Sequence, residues 1–515
     1  MREHGIAAYF IPNNDEFSNE YLPDSAKRIE FLTGFTGSAA TLVVGLKKAA
    51  FFTDGRYTIQ ATTQVNSSIF EIYNIKDLQP TAWLEREGLQ AAYDPWLVSV
   101  EQARKLNGVE LEQNLVDAIW ADKPALQSQP AFDLPLQYAG KTSEQKIADI
   151  VAGLQADALL LTDPISINWL LNIRGNDLAY TPIKLCYAVV YKSAEIDLFE
   201  VPNHKNISIS GAVSVQIDPK TCPQALLEKF SHLQISELAD PCLLPKAIKN
   251  AAEIESIKQA HNIDGRALTK FLRWIKENQQ QDEISAAKKL AEFRGENVEY
   301  IQPSFTTISG FGSNGAVVHY SVTKETNKNF APNNLYLVDS GGQYLGDKAC
   351  GTTDVTRAVA IGKPTAEMIH DYTLVLKGHI AVAIAEFEPS PENGTELDKL
   401  ARQFLRAEGK EYDHGTGHGV GHYLSVHEGP CGISPRAKTP FAVGMLISNE
   451  PGFYKAGAYG IRIENLVLVV AKGKKLGFET LTKAPFDEDL IDYTLLTNQE
   501  KDWIKNYHEQ VSKNI

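Results

Sequence analysis

Five short stretches in the second half of the chain set carboxylate or imidazole groups among apolar, strand-like residues. In NLYLVDSGGQY, Asp339 ends an apolar run, and in GTTDVTRAVAIG, Asp354 precedes the next one. His418 sits among glycines in GTGHGVG, and Glu450 precedes a proline in MLISNEPGFY. In YGIRIENLVLVV, period two puts Arg462, Glu464 and Leu466 on one strand face. A carboxylate inside an apolar strand is costly unless something pairs with it. Four on neighbouring strands would repel one another. Two divalent cations would balance those charges, with His418 as a neutral nitrogen ligand. An oxygen-rich shell with one nitrogen and no thiolate suits Mn²⁺, and Zn²⁺ or Co²⁺ also fit. Each stretch alone has an ordinary explanation: a turn-forming Asp, a surface ion pair or a hydrogen-bonded structural His. Their order and joint context point to a site.

Four of the twelve histidines, His414, His418, His422 and His427, fall within DHGTGHGVGHYLSVHEGP. Imidazole binds metal, moves protons or donates to developing charge. His414 and His418 lie four apart, but HGTGH is too rich in glycine for a helical two-histidine metal motif.

The groups must be positioned by helices that alternate with apolar strands over residues 246–515, the largest domain expected. It opens with NAAEIESIKQAHNIDGRALTKFLRWIKEN, whose Ile254, Ile257, Ala260, Ile263, Ala267, Leu268, Phe271 and Ile275 recur at helical intervals. Asn250 and Glu253 form a capping pair. Two smaller α/β domains are expected before it, over 1–130 and 131–245. In the first, AATLVVG and KAAFFTD are strands, and TDGRYTIQA leads from a strand into a helix. In the second, SEQKIADIVAGLQ is a helix capped by Ser143, with ADALLLTD and CYAVVY as strands. The proline-bearing stretch 122–137 is a linker. RIEFLTGFTG before ATLVVG matches INWLLNIRG before CYAVVY in its helix, glycine turn and strand, a hint that the two domains are related.

A formal net charge of −14 disfavours nucleic acid and anionic membrane surfaces as partners. No apolar run reaches the ~18 residues of a membrane span, and the MREHGIAAYF start has no apolar core of a secretory signal. Five scattered cysteines read as reduced thiols. A cytoplasmic location is expected.

Together the stretches resemble the pita-bread metallopeptidases, and most closely the three-domain Xaa-Pro aminopeptidases (aminopeptidase P). MREHGIAAYFIP, GFTGSAATLVV and TDGRY look like that family's first domain, and WLLNIRGND like its second. SGFGSNGAVVHY, DSGGQY, GTTDVTR, DHGTGHGVG, VHEGP, NEPGFY and GIRIEN look like its catalytic domain. The resemblance implies an α/β (α+β) chain with a C-terminal pita-bread domain behind two related creatinase-like domains. It implies two divalent metal ions on Asp339, Asp354, His418, Glu450 and Glu464. It implies that Glu450 moves the water proton, His427 donates to the carbonyl oxygen and His319 stands near the leaving nitrogen. His414 is placed by the P1′ proline pocket, and Arg462 orients the P1′ end or supports Glu464. His422 has no counterpart and is expected to be an exposed or packing residue. The implied activity is release of the N-terminal residue from peptides with proline second, through a metal-activated hydroxide, by a homodimer. A prolidase restricted to dipeptides and a non-catalytic binding module are the alternatives.

DSGGQYLGDKACGTTD departs from the family pattern by four extra residues between Tyr344 and Gly351. A surface hairpin extension that keeps strand register is expected. A slip of register would turn Asp354 to the wrong face and make Asp347 or Cys350 a candidate ligand.

Overall fold

Short apolar runs broken by turn residues build two sheets in the first part of the chain. The computed structural model describes residues 1–514 and divides into two units, Met1–Cys242 and Leu243–Ile515. In the first unit, β1 (Ala8–Pro12), β2 (Ala40–Gly45), β3 (Ala49–Thr53), β4 (Phe70–Asn74), β5 (Ala91–Tyr93) and β6 (Val109–Glu110) form a sheet in the order β4-β3-β2-β1-β5-β6. The stretch 122–137 contributes β7 (Phe132–Asp133). There follow β8 (Ala158–Leu161), β9 (Ile173–Arg174), β10 (Cys186–Tyr191), β11 (Ile196–Glu200), β12 (Ser214–Ile217) and β13 (Gln234–Glu237). β7 pairs with β9, so the expected linker is partly structured. The second sheet runs β11-β10-β8-β12-β13.

The two sheets share a pattern. β3-β2-β1-β5-β6 pair antiparallel, antiparallel, parallel and parallel, and so do β11-β10-β8-β12-β13. The repeated helix, turn and strand therefore mark one topology used twice. One expectation needs correcting. Thr142, not Ser143, caps the helix Ser143–Ala152, in a reciprocal box with Gln145. The Ser143 hydroxyl instead donates to the Leu171 carbonyl at 2.7 Å.

The second unit opens with the helix Ala251–Glu277, capped by the Asn250–Glu253 box. Its strands are β14 (Tyr300–Pro303), β15 (Ile308–Phe311), β16 (Asn334–Ser340), β17 (Gly342–Leu345), β18 (Cys350–Thr352) and β19 (Val355–Ile361). Then come β20 (Gly417–Gly419), β21 (Glu428–Ile433), β22 (Leu446–Asn449), β23 (Gly452–Lys455), β24 (Tyr459–Arg462), β25 (Asn465–Lys472) and β26 (Lys475–Thr480). They form sheets β15-β16-β19, β14-β17-β18 and β21-β20-β22-β25-β26, with β23-β24 as a separate ribbon. The helix Ala366–Ala383 carries its own buried face, from Met368 to Ala383.

β16 and β19 pair with Asp339 opposite Thr356, and β17 and β18 pair with Leu345 opposite Cys350. The four extra residues form the turn, closed by Gly346 N donating to Ala349 O at 3.0 Å. Strand pairing continues on both sides of the turn, as an extension requires. It is not wholly a surface feature, however. Asp347 and Lys348 are exposed, whereas Ala349 and Cys350 are buried. Ala349 packs with Ala260, Ile263 and Tyr344, because the apolar face of the helix Ala251–Glu277 lies over the hairpin.

The single strand expected across YGIRIENLVLVV is two. β24 ends at Arg462 and β25 starts at Asn465. Between them Ile463 N donates to Pro451 O and Glu464 N to Thr356 O, both at 3.2 Å. The backbone passes from one ladder to the other there, but the register runs on, with Arg462 opposite Gly452 and Asn465 opposite Asn449, so Arg462 and Glu464 keep a shared face and meet at Thr356 Oγ1.

Candidate metal centre

The β16–β19 pair presents Asp339 near its end and Asp354 just before β19. The β20–β22–β25 sheet brings His418 within its short strand, Glu450 just past β22 and Glu464 just before β25. These five side chains, 125 positions apart at the extremes of the sequence (464 − 339), converge. Ligand atoms of Asp354, His418 and Glu464 lie within 4.8 Å of one another. His418 Nε2 is 3.5 Å from Asp354 Oδ2 and 3.4 Å from Glu450 Oε1.

Neighbouring groups fix four of the five. Ser448 Oγ accepts from His418 N at 2.9 Å and donates to Glu450 Oε1 at 3.1 Å, joining β20 to the end of β22. Thr356 Oγ1 donates to Glu464 Oε2 at 2.8 Å. Arg462 is buried and donates to Asp339 Oδ2 at 2.6 Å, Tyr454 OH at 2.7 Å and Thr356 Oγ1 at 3.1 Å. It supports Asp339 directly and Glu464 only through Thr356. The other Asp339 oxygen, Oδ1, is buried with no hydrogen-bond partner.

Burial pushes the Asp354 carboxyl up to about 6, with the Asp339 and Glu450 charges adding to it and the His418 hydrogen bond opposing it. Glu464 is held well above the usual carboxylate range, by burial and then by the charges of Asp354, Glu450 and Asp339. Burial alone would lower His418, yet its hydrogen bond to Asp354 and the Glu450 charge push it up to about 9. Crowded carboxylates that resist ionisation and an imidazole drawn toward protonation describe a site short of positive charge. With one nitrogen, four carboxylates and an unpartnered buried oxygen, the residues fit hard or borderline divalent cations.

The remaining histidines separate. His427 meets His418 edge-on, with ring centroids 4.3 Å apart. The next residue, Glu428, is buried between Lys249 at 2.5 Å and Lys246 at 3.3 Å, which anchors that turn. His414 Nε2 is 2.8 Å from Tyr454 OH, and its Nδ1 is 4.0 Å from Glu450 Oε2. His319 is half-buried in the turn after the 3₁₀ segment Gly312–Ala316. His422 is buried, not exposed, and lies against the helix Ala251–Glu277, with Nε2 3.0 Å from Ser256 Oγ. It packs outside the cluster.

Several supporting residues had escaped the sequence reading. Ser448 lies two positions before Glu450, the period-two signal of a shared face. Asp398 and Arg402 are an i,i+4 pair on the helix Asn393–Arg406. From there Arg402 donates to His414 O at 2.6 Å, and Asp398 accepts from Thr416 Oγ1 at 2.7 Å. Tyr454 stood in the NEPGFY stretch without an assigned task.

Comparison with known proteins supplies the chain's relatives. Residues 255–471 match the model of metallopeptidase family M24, and 474–515 match its C-terminal region. Residues 1–118 and 122–213 each match a creatinase/prolidase N-terminal domain. A probable Xaa-Pro aminopeptidase P of Sordaria macrospora is 37% identical, covering 100% of this chain and 94% of that one. One from Aspergillus niger is 38% identical, covering 99% and 93%. The crystal structure of an X-prolyl aminopeptidase from Caenorhabditis elegans, described as a cytosolic enzyme with a di-nuclear active site, superposes with a TM-score of 0.91. It is 34% identical and covers 99% of this chain and 92% of its own.

Proposed function

The chain belongs to metallopeptidase family M24, in its aminopeptidase P branch, and from that premise we propose that it removes the first residue from peptides with proline in second place. It is a metal-dependent hydrolase that uses two divalent metal ions. The observation that carries this function is the convergence of Asp339, Asp354, His418, Glu450 and Glu464 in a chain similar over its whole length to Xaa-Pro aminopeptidases. We assign all five as metal ligands. Mn²⁺ suits the donor set best, and Zn²⁺ or Co²⁺ are alternatives.

Two cations at this site would lower the pKa of a water and polarise the scissile carbonyl. Glu450 then takes the water proton and passes it to the departing proline nitrogen, which leaves poorly as an anion. His427, packed against His418, donates to the carbonyl oxygen as negative charge grows there. His319 stands by the leaving nitrogen. Asp339 faces the substrate α-amine, which limits attack to the first peptide bond. His414, held by Tyr454, lines the slot for the proline ring. An Xaa-Pro bond has no N–H to donate, so a slot without an acceptor at that point favours proline. Arg462 keeps Asp339 in place.

Family-model matches to two successive N-terminal modules and their shared strand pattern support a three-domain division at about residues 130 and 245. A homodimer and a cytoplasmic location are part of the same proposal, the latter in line with the description of the C. elegans enzyme. The test is an Mn²⁺-supplemented assay on Xaa-Pro and Xaa-Pro-Xaa peptides. Release of the first residue from the tripeptide is expected. Cleavage of dipeptides alone would make the chain a prolidase, and a folded protein that binds no metal and cleaves neither would make it a binding module.

A further inference from the structure

Glu450 and Glu464 share a structural problem. Each flanks the last residue pair of the β22–β25 ladder, where Asn449 lies opposite Asn465. Beyond that pair only the Ile463 N–Pro451 O bond joins the strands before Gly452 pairs with Arg462, so Asn449 and Asn465 hold one side of the gap that Glu450 and Glu464 share. Side chains alternate along extended backbone. With Asn449 and Asn465 turned toward the helix Ala366–Ala383, Glu450 and Glu464 turn the opposite way, into the cluster.

One side chain on that helix crosses the terminal pair. His379 is fully buried. Its Nδ1 is 3.1 Å from Asn449 O, and its Nε2 is 3.1 Å from Asn465 Nδ2. Asn449 Nδ2 returns a bond to His379 O at 2.9 Å. One assignment satisfies both bonds. Asn449 O can only accept, so Nδ1 carries the proton. Asn465 Oδ1 is taken by Arg357 at 2.7 Å, which leaves its Nδ2 to donate to Nε2. A doubly protonated ring would lose that second bond. Burial and the nearby Arg357 charge push the imidazole down to about 3, in keeping with a neutral ring. Phe486 and Trp503 wall it in, each with its ring centroid 5.9 Å away.

We propose that His379 is a positioning residue of the metal centre: its neutral ring ties Asn449 to Asn465 and so braces one side of the gap in which Glu450 and Glu464 are set. This rests on the assignment of those glutamates as ligands. Groups that orient metal ligands typically cost ~10–100-fold in metal affinity when removed. Replacing the ring with one that neither donates nor accepts loosens one of the two residue pairs that flank the glutamates, and the pair of cations feels it first.

The experiment titrates Mn²⁺ into metal-free wild type, His379→Phe, His379→Asn and His379→Gln, following binding by calorimetry and the spin coupling of paired Mn²⁺ by electron paramagnetic resonance. Wild type should bind two ions. His379→Phe should bind the second ~10–100-fold more weakly and lose spin coupling. At saturating Mn²⁺ its kcat should stay low while KM changes less than about twofold, because the ring is remote from the peptide. His379→Gln, with an amide donor and acceptor, should regain most of the affinity, and His379→Asn, which reproduces only the Nδ1 donor, should fall between. If His379→Phe fails to fold, the His379→Asn and His379→Gln variants carry the test. Wild-type affinity and coupling in every folded variant would overturn the clamp and leave the metal centre standing. Failure of wild type to bind Mn²⁺ would instead sink the centre itself.

Discussion

Asp339 and Glu464 contribute the same chemical group to one cluster, yet their surroundings differ. Asp339 is held by a guanidinium at 2.6 Å. Glu464 is held by the Thr356 hydroxyl at 2.8 Å. The protein thus supplies its own cation on one side of the site and a neutral donor on the other. Glu464 and Asp354 are pushed upward by burial and then by like charges, while Arg462 is held firmly charged by Tyr454 and Asp339 despite its burial. A buried carboxylate with only a hydroxyl beside it needs positive charge from elsewhere. The charge deficit lies around Glu464, Asp354 and Glu450, where we place the cations.

The largest break of this asymmetry comes from Glu464→Gln or Asp354→Asn. Either should strip at least one metal ion and take turnover to background, as read by metal analysis and peptide assay. Normal stoichiometry with near-normal rates would refute the proposed centre. Next in size is His427→Ala. It removes a donor and no ligand, so kcat should fall ~10²–10³-fold with metal content unchanged. His422→Ala sharpens the contrast between neighbouring histidines. It should leave kcat alone and destabilise the fold by about 1–3 kcal/mol, because it strips a buried partner from Ser256.

The same asymmetry has a pH signature in metal-free protein. Asp354 at about 6, and Glu464 raised in the same direction, hold protons that the unfolded chain has already released. For Asp354, stability therefore falls as pH rises from 3.8 to about 6, and Glu464 adds a loss of the same sign. His418, raised from 6.5 to about 9, adds stability that is full below 6.5 and lost as pH rises through about 9. Metal ions need the carboxylates ionised and the imidazole neutral, so binding releases those protons and strengthens with pH. The melting temperature of chelator-treated protein should decline between about pH 5 and 9, and the gain on adding Mn²⁺ should grow. A flat profile would mean that the crowding is relieved in solution. The smallest effect belongs to Asp347→Ala at the hairpin tip. It should keep both metal ions and stay within about 0.5 kcal/mol of wild type; loss of an ion would return the insertion to the site.

Most of the local structure was legible because local chemistry dictates it. Asn250 and Glu253 cap their helix as a reciprocal pair, and the apolar runs around Asp339 and Asp354 do become paired strands. Where the reading failed, distant groups decided. Period two across YGIRIEN predicts one strand, but Glu464 N turns to Thr356 O and Pro451 has no N–H to return, so the ladder is interrupted while the facing survives. The hairpin tip looked polar in GDKAC, yet Ala349 is covered by a helix that begins almost a hundred positions earlier. The Arg462 partner, Asp339, is 123 positions away. No spacing rule connects them, nor His379 to the two asparagines it joins.

Arg357 gives the site a place in time. This buried guanidinium donates to the carbonyls of Thr356, Glu464, Ala484 and Pro485, to Asn465 Oδ1, and to Tyr507 OH. The last of these partners stands on the helix Asn498–Asn514. Chains are made from the N-terminus, so a ribosome must have passed residue 507 before the anchor behind Glu464 is complete. A nascent chain can display every ligand and still lack the full frame that holds them, which makes this a peptidase whose cutting edge is finished last.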